Sequence, residues 1–164
     1  MLGVHTILAP VDFSECSQSA FQMARALARD YRAHLIVLHV PMPPPFVTPG
    51  ELEKALQRPD GYRGALEDNL RRLYTQDPPA VVEYRVQDGN PAAEILGVAE
   101  EARCDLIVMG THGRGGLGRM LLGSVAGAVM RKAPCPVLTV KGPPASAPLP
   151  AAAARGGPAC RREL

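Results

Sequence analysis

Two short runs carry the residues best suited to chemistry: Gly110-Thr111-His112-Gly113 and, after nine intervening residues, Gly123-Ser124. The apolar stretch Asp105-Leu106-Ile107-Val108-Met109 before them has the character of a buried strand, and Val125 to Lys132 after them reads as a helix. A glycine-rich turn between strand and helix is suited to holding phosphate. Glycine reaches φ > 0 and lets backbone N–H groups approach an anion closely. A helix start at Ser124 would add unbonded N–H groups and the positive end of a dipole. The pattern is not a Walker loop, because no Gly-Lys-Ser/Thr follows, and it is not a Gly-x-Gly-x-x-Gly turn after the first strand. The plain alternative is a loop punctuated by glycine, with Ser124 as an ordinary helix N-cap.

His112, Arg114 and Arg119 lie in or beside this loop. A histidine can exchange protons near neutral pH, and arginines can neutralise phosphate charge. No carboxylate in the loop is placed to activate a water, so the sequence names no catalytic residue. His39 follows an apolar run and reads as structural. Asp12 stands between the first apolar run and the first helical pattern. It is either a helix-entry residue or a binding residue; beside polyphosphate, its carboxylate needs an intervening Mg²⁺, Mn²⁺ or ribose hydroxyl. Of the four cysteines, Cys104 and Cys135 flank apolar runs and read as small buried hydrophobes. Cys16 falls in a first helical turn, and no Cys-x-x-Cys or zinc spacing occurs.

The elements that must position these residues alternate. Thr6–Val11 is continuous and apolar, as expected for a strand covered on both faces. From Ser14, Phe21, Ala24, Leu27 and Ala28 recur at helical spacing. Leu35–Val40 is a second strand, followed by the proline-rich Pro41-Met42-Pro43-Pro44-Pro45. Glu51–Tyr74 reads as helical with Leu66, Leu70 and Leu73 on one face, interrupted at Pro59-Asp60-Gly61. Val81–Val86 is a third strand. Asn90-Pro91 opens a helix with core residues Ile95, Leu96 and Ala99. Val137–Val140 is a fifth strand. This order predicts an α/β fold: an open, doubly wound, five-stranded parallel sheet with helices on both faces. Ligands of such sheets bind beyond the strand C-termini. That brings Pro10, Val11, Asp12, Val40, Met109 and Gly110 around one crevice, with Met109 either lining it or packed in the core.

A chain of 164 residues, 46% hydrophobic, is enough for one domain with a full core. A formal charge of +2 without a clustered basic face points to no nucleic-acid partner. No apolar run approaches the ~20 residues of a membrane span. No secretory signal is visible at the N-terminus, so the expected location is cytoplasmic. Residues 142–164 are rich in Ala, Pro and Gly and are expected to form a disordered tail after a domain spanning 1–141.

The glycine pattern resembles the nucleotide-binding signature of the universal stress protein family. The resemblance extends to Ile7-Leu8-Ala9-Pro10-Val11-Asp12-Phe13-Ser14, Leu35-Ile36-Val37-Leu38-His39-Val40 and Cys135-Pro136-Val137-Leu138-Thr139-Val140, covering about residues 3 to 141. It implies a Rossmann-like fold that binds ATP or another adenine nucleotide. Gly110, Gly113, Gly123 and Ser124 would then approach the phosphates, joined by the Val125 N–H and with Arg114 nearby. Asp12 would lie beside ribose and phosphates and contribute to a metal site, and the Val40 backbone would meet adenine. The resemblance also implies a homodimer paired through Val137, Leu138, Thr139 and Val140. Three functions remain open on these residues: a regulatory ATP-binding protein with little or no turnover, a slow Mg²⁺- or Mn²⁺-dependent ATPase or phosphotransferase, and a dimeric interaction module with an incidental pocket.

Overall fold

The structure, a computed structural model, describes residues 3–41, 61–74, 81–112 and 122–142. Five strands, β1 Thr6–Val11, β2 His34–His39, β3 Val82–Val86, β4 Leu106–Gly110 and β5 Val137–Val140, form one sheet in the order β3-β2-β1-β4-β5. Every pairing is parallel. Among the described residues four helices alternate with them: α1 Glu15–Tyr31, α2 Gly61–Tyr74, α3 Pro91–Glu101 and α4 Ser124–Lys132. The expected doubly wound sheet is the one found.

Side-chain alternation along the strands explains why both sheet faces are covered. Ile7, Ala9 and Val11 of β1 join Leu35, Val37, Val86 and Val108 in a core closed by Ala20, Phe21, Ala24 and Ala28 of α1 and Leu70 of α2. Leu8 points the other way, with Ile36, Leu38, Ile107 and Met109, into a core closed by Ile95, Val98 and Ala99 of α3 and Ala126 and Val129 of α4. Each central strand therefore reads as an unbroken apolar run, and each helix as a one-sided stripe.

The helix ends follow local chemistry. Ser14 caps α1 by accepting from Ser17 N–H at 3.2 Å, and Arg32, at φ 55, ends it. Asn90 caps α3 by accepting from Ala92 and Ala93 N–H, with Pro91 at the first helical position. For α4 the N-cap is Gly123 rather than Ser124, which becomes the first helical residue. β2 runs one residue earlier than expected and stops at His39, leaving Val40 just beyond the strand. β4 takes in Gly110, which pairs with Val140. The expected helical stretch 51–60, the loop residues Gly113, Arg114 and Arg119, Cys160 and the tail beyond Gly142 lie outside the described residues.

Strand order places β1 and β4 side by side, although the chain runs from β1 to β2 and β3 on one side and to β5 on the other. This is the switch point, and in open sheets of this kind the ligand crevice lies there, beyond the C-termini of the strands. No helix among the described residues is long and apolar enough to cross a membrane.

Candidate functional site

Four chain segments meet at the switch point: the β1–α1 turn, the end of β2, the residues after β4, and the start of α4. In the first, Asp12 Oδ1 accepts from Ser14 N–H at 3.1 Å and from the Ser14 hydroxyl at 2.5 Å. Asp12 N–H donates to Ser17 Oγ at 3.3 Å. The Ser17 hydroxyl in turn donates to the Ser14 carbonyl at 2.9 Å. Asp12 thus does the work of a helix-entry residue, whatever else it binds. Between Asp12 and Ser14, Phe13 has φ 65, a left-handed backbone that a bulky residue adopts at a cost of about 1–3 kcal/mol. Strain of this kind persists where surrounding contacts over-determine the turn.

The residues after β4 are fixed from three sides. Thr111 is only 4% exposed. Its N–H donates to the Val140 carbonyl at 3.0 Å, and its carbonyl accepts from Gly123 N–H at 2.7 Å. Its hydroxyl lies 2.9 Å from His112 Nδ1. The Val140 carbonyl also accepts from Cys16 Sγ at 3.3 Å. One hydrogen-bonded chain thereby links α1, the end of β5, the end of β4 and the N-cap of α4. Thr111 and Cys16 escaped sequence reasoning as members of this junction.

The glycines at the site have packing reasons of their own. A Cβ on Gly110 would stand 2.9 Å from Cys16 Sγ and 3.1 Å from the Cys16 backbone carbon. Gly110 therefore lets the first turn of α1 approach β4 closely. A Cβ on Gly123 would press on the Thr111 carbonyl oxygen at 3.1 Å. Gly123 N–H is spent on that same oxygen, while Gly123 as an N-cap offers no side-chain acceptor to the helix behind it. The first intrahelical bond runs from Gly127 N–H to the Gly123 carbonyl at 2.8 Å. The N–H groups of Ser124, Val125 and Ala126 precede it, lack intrahelical acceptors and point out of the helix start. No acidic residue occupies this first turn.

The remaining expected residues distribute between site and core. Pro10 and Val11 are buried at the end of β1, and Val11 belongs to the α1-side core. Val40 is half-buried at the crevice end of β2 and packs on the α3/α4-side core. Met109 is 5% exposed and packs into that core. Ser124 is exposed at the α4 start, and Val125 is half-buried behind it. Among the described residues no group of three or more His, Cys, Asp or Glu side chains gathers to hold a metal. Asp12 could supply one carboxylate ligand to a divalent cation, with phosphate and water filling the other positions.

Two thiols and a carboxylate with shifted titrations lie at the opposite end of the sheet. Burial pushes the Cys104 thiol up to about 11, with the neighbouring Cys135 adding to the effect. Burial raises Cys135 as well, reinforced by the Asp105 carboxylate. Cys104 is buried, as its apolar flank suggests, whereas Cys135 is half-buried and packs against the edge of the same core. Asp105 is held below the usual carboxylate range by the N–H groups of His5 and Thr6, at 2.7 and 2.9 Å.

Comparison with known proteins agrees with this architecture. The model of the universal stress protein family matches residues 3–141. The chain is 36% identical over 144 residues to universal stress protein MJ0531 of Methanocaldococcus jannaschii, covering 84% of this chain and 82% of that protein. The solved universal stress protein UspA from Lactobacillus plantarum superposes with a TM-score of 0.64 at 28% identity, covering 84% of this chain and 97% of that one. A universal stress protein solved in complex with cAMP shares the fold, with a TM-score of 0.63 at 24% identity over 86% of this chain and 99% of that one. The chain belongs to the universal stress protein family.

Proposed function

We propose that the protein binds ATP, or another adenine nucleotide, at the switch-point crevice and serves as a regulatory nucleotide-binding protein with little or no turnover. One observation carries this reading. The α4 helix starts at the switch point on a glycine N-cap, without a capping side chain or an acidic first turn. Such a start favours an outside anion, and polyphosphate is the anion it suits best. The phosphates would rest on the N–H groups of Ser124 and Val125 and on the Ser124 hydroxyl, with Gly113 and Arg114 contributing from the loop. Asp12 would face the ribose or a phosphate-bound Mg²⁺ or Mn²⁺. Pro10 and Val11 would wall the crevice, and the Val40 backbone would read the adenine edge. The cAMP complex of a protein with this fold supports the ligand class.

The reading of little turnover is supported by the contacts of Asp12: its Oδ1 accepts two hydrogen bonds from Ser14, which lower the basicity of that carboxylate as a general base. Titration calorimetry with ATP tests the reading: saturable one-site binding is expected, and no heat with ATP, ADP or AMP overturns it.

The assembly proposed with this function is a homodimer through β5. β5 is an edge strand, and Leu138 on it is 37% exposed. An unpaired apolar edge is a liability that symmetric pairing removes. Light scattering is expected to report a dimer for the wild type and a monomer for Leu138→Lys. A wild-type monomer at micromolar concentration refutes it.

A further inference from the structure

We propose that His39 is a positioning residue of the crevice: its imidazole grips the β1–α1 turn on both sides of Asp12 and sets where that carboxylate meets the nucleotide. The inference rests on the crevice being a nucleotide site. His39 ends β2 opposite Val11 in the β1–β2 register. The residues that share its side of β2, Leu35 and Val37, are apolar core. A leucine at 39 would continue that run, yet the position holds an imidazole only 5% exposed. Buried polar groups of this kind persist where they make specific bonds.

His39 makes two contacts with the turn. Its Nδ1 lies 2.8 Å from the Val11 carbonyl oxygen. A carbonyl oxygen only accepts, so Nδ1 carries the hydrogen and the tautomer is assigned. This bond is additional to the sheet ladder and ties down the last residue of β1. The same ring packs against Phe13, with centroids 4.5 Å apart and planes tilted by 53°. Phe13 is the residue held at φ 65. One side chain therefore fixes residue 11 by a hydrogen bond and residue 13 by ring contact, and residue 12 lies between them. Asp12 in turn holds Ser14, the cap of α1. The left-handed turn, the orientation of Asp12 and the helix entry all lean on the imidazole.

The test compares ATP affinity, by calorimetry, in the wild type, His39→Leu and His39→Asn, each with its unfolding midpoint. The Leu variant keeps bulk and loses the donor; its affinity is expected to fall about ten-fold, the worth of one buried hydrogen bond. The Asn amide places an N–H close to where Nδ1–H stands, and it is expected to restore affinity to within about three-fold of wild type. Wild-type affinity in a folded His39→Leu overturns the role, as does an Asn variant no better than Leu. Should the Leu variant not fold, His39→Gln replaces it: the Gln amide sits one bond further out, and equal affinities for Asn and Gln overturn the role. A histidine-ring ¹H–¹⁵N spectrum supplies a readout independent of nucleotide. The Nδ1–H tautomer is expected for His39, and the Nε2–H tautomer overturns the proposal. A wild type that takes up no nucleotide overturns the reading of the crevice instead, so the two failures are distinguishable.

Discussion

The two helices that start at the switch point, α1 and α4, solve the same electrostatic problem in opposite ways. Each begins next to the C-terminus of a central strand, and each begins with N–H groups that its own helix cannot bond. At α1 the chain answers with Ser14, with Asp12 behind it and with Glu15 in the first turn. At α4 the N-cap is Gly123, no side chain caps, and the first turn holds no acid. The first start is capped from within, which adds stability, whereas the second carries no side-chain cap and, on the proposed function, receives an anion from outside. Helix starts are therefore not interchangeable as anion sites. What matters is which one the chain has declined to cap.

The largest expected effect breaks the comparison at α4. Gly123→Val puts a branched Cβ against the Thr111 carbonyl oxygen, where even a methyl would sit at 3.1 Å. The turn must shift and the first-turn N–H groups lose their aim. ATP affinity is expected to fall by on the order of a hundred-fold or more. Unchanged affinity by titration calorimetry would remove the α4 start from the site.

Next comes the junction between the two helices. Gly110→Ala pushes a methyl into Cys16, meeting both Sγ and backbone. Overpacking of this kind costs about 1–3 kcal/mol. Removing the sulfur in Gly110→Ala with Cys16→Ala is expected to return part of that loss, while the backbone contact at 3.1 Å keeps the recovery incomplete. Urea unfolding of the two single variants and the double variant closes the cycle. Strict additivity would mean that Gly110 is glycine for the ligand alone.

At α1 the expected outcome has the opposite character. Ser14→Ala removes the cap and is expected to lower stability by about 1 kcal/mol. ATP affinity should change far less than in Gly123→Val. A Ser14→Ala protein of unchanged stability but lost binding would reverse the roles assigned to the two helix starts.

Much of this was legible in the sequence because it is local. The strands show as apolar runs, Asn90-Pro91 announces α3, and the glycine spacing marks the turn after β4. The reason for each glycine was not legible. Gly110 is constrained by Cys16, and Cys16 bonds Val140, 124 residues away. Thr111 drew no reading of its own from the sequence, yet its carbonyl takes the Gly123 N–H. His39 read as structural, and only the β1–β2 register brings it against Val11. Ser124 looked like a cap, yet the helix begins one residue earlier in phase, because Gly123 N–H is drawn to Thr111. Spacing along the chain encodes elements; contacts between distant elements decide which group at a turn is still available.

The smallest expected effect lies at the far end of the sheet and extends the comparison to a third group of backbone donors. Asp105 accepts from His5 and Thr6 N–H, tying the start of β1 to the start of β4. Like Asp12 with Ser14, it satisfies donors from within. Its pKa in the folded chain lies below the ordinary value because those two N–H groups favour the charged form. The unfolded chain therefore binds the proton more tightly than the folded one. It follows that the stabilisation is fully present above the unfolded value of about 3.9 and is lost as pH falls through the lower, folded value. Asp105→Asn keeps the shape and removes the charge, and the carboxylate's partial exposure to water limits the expected loss to about 1 kcal/mol or less at neutral pH. Below about pH 4 the variant and the wild type should converge in urea midpoint as the wild-type carboxylate itself protonates. A difference that instead stayed constant on acidification would mean that the bonds to His5 and Thr6 do not depend on the charge, and that this carboxylate is not the counterpart of Asp12 that its geometry makes it.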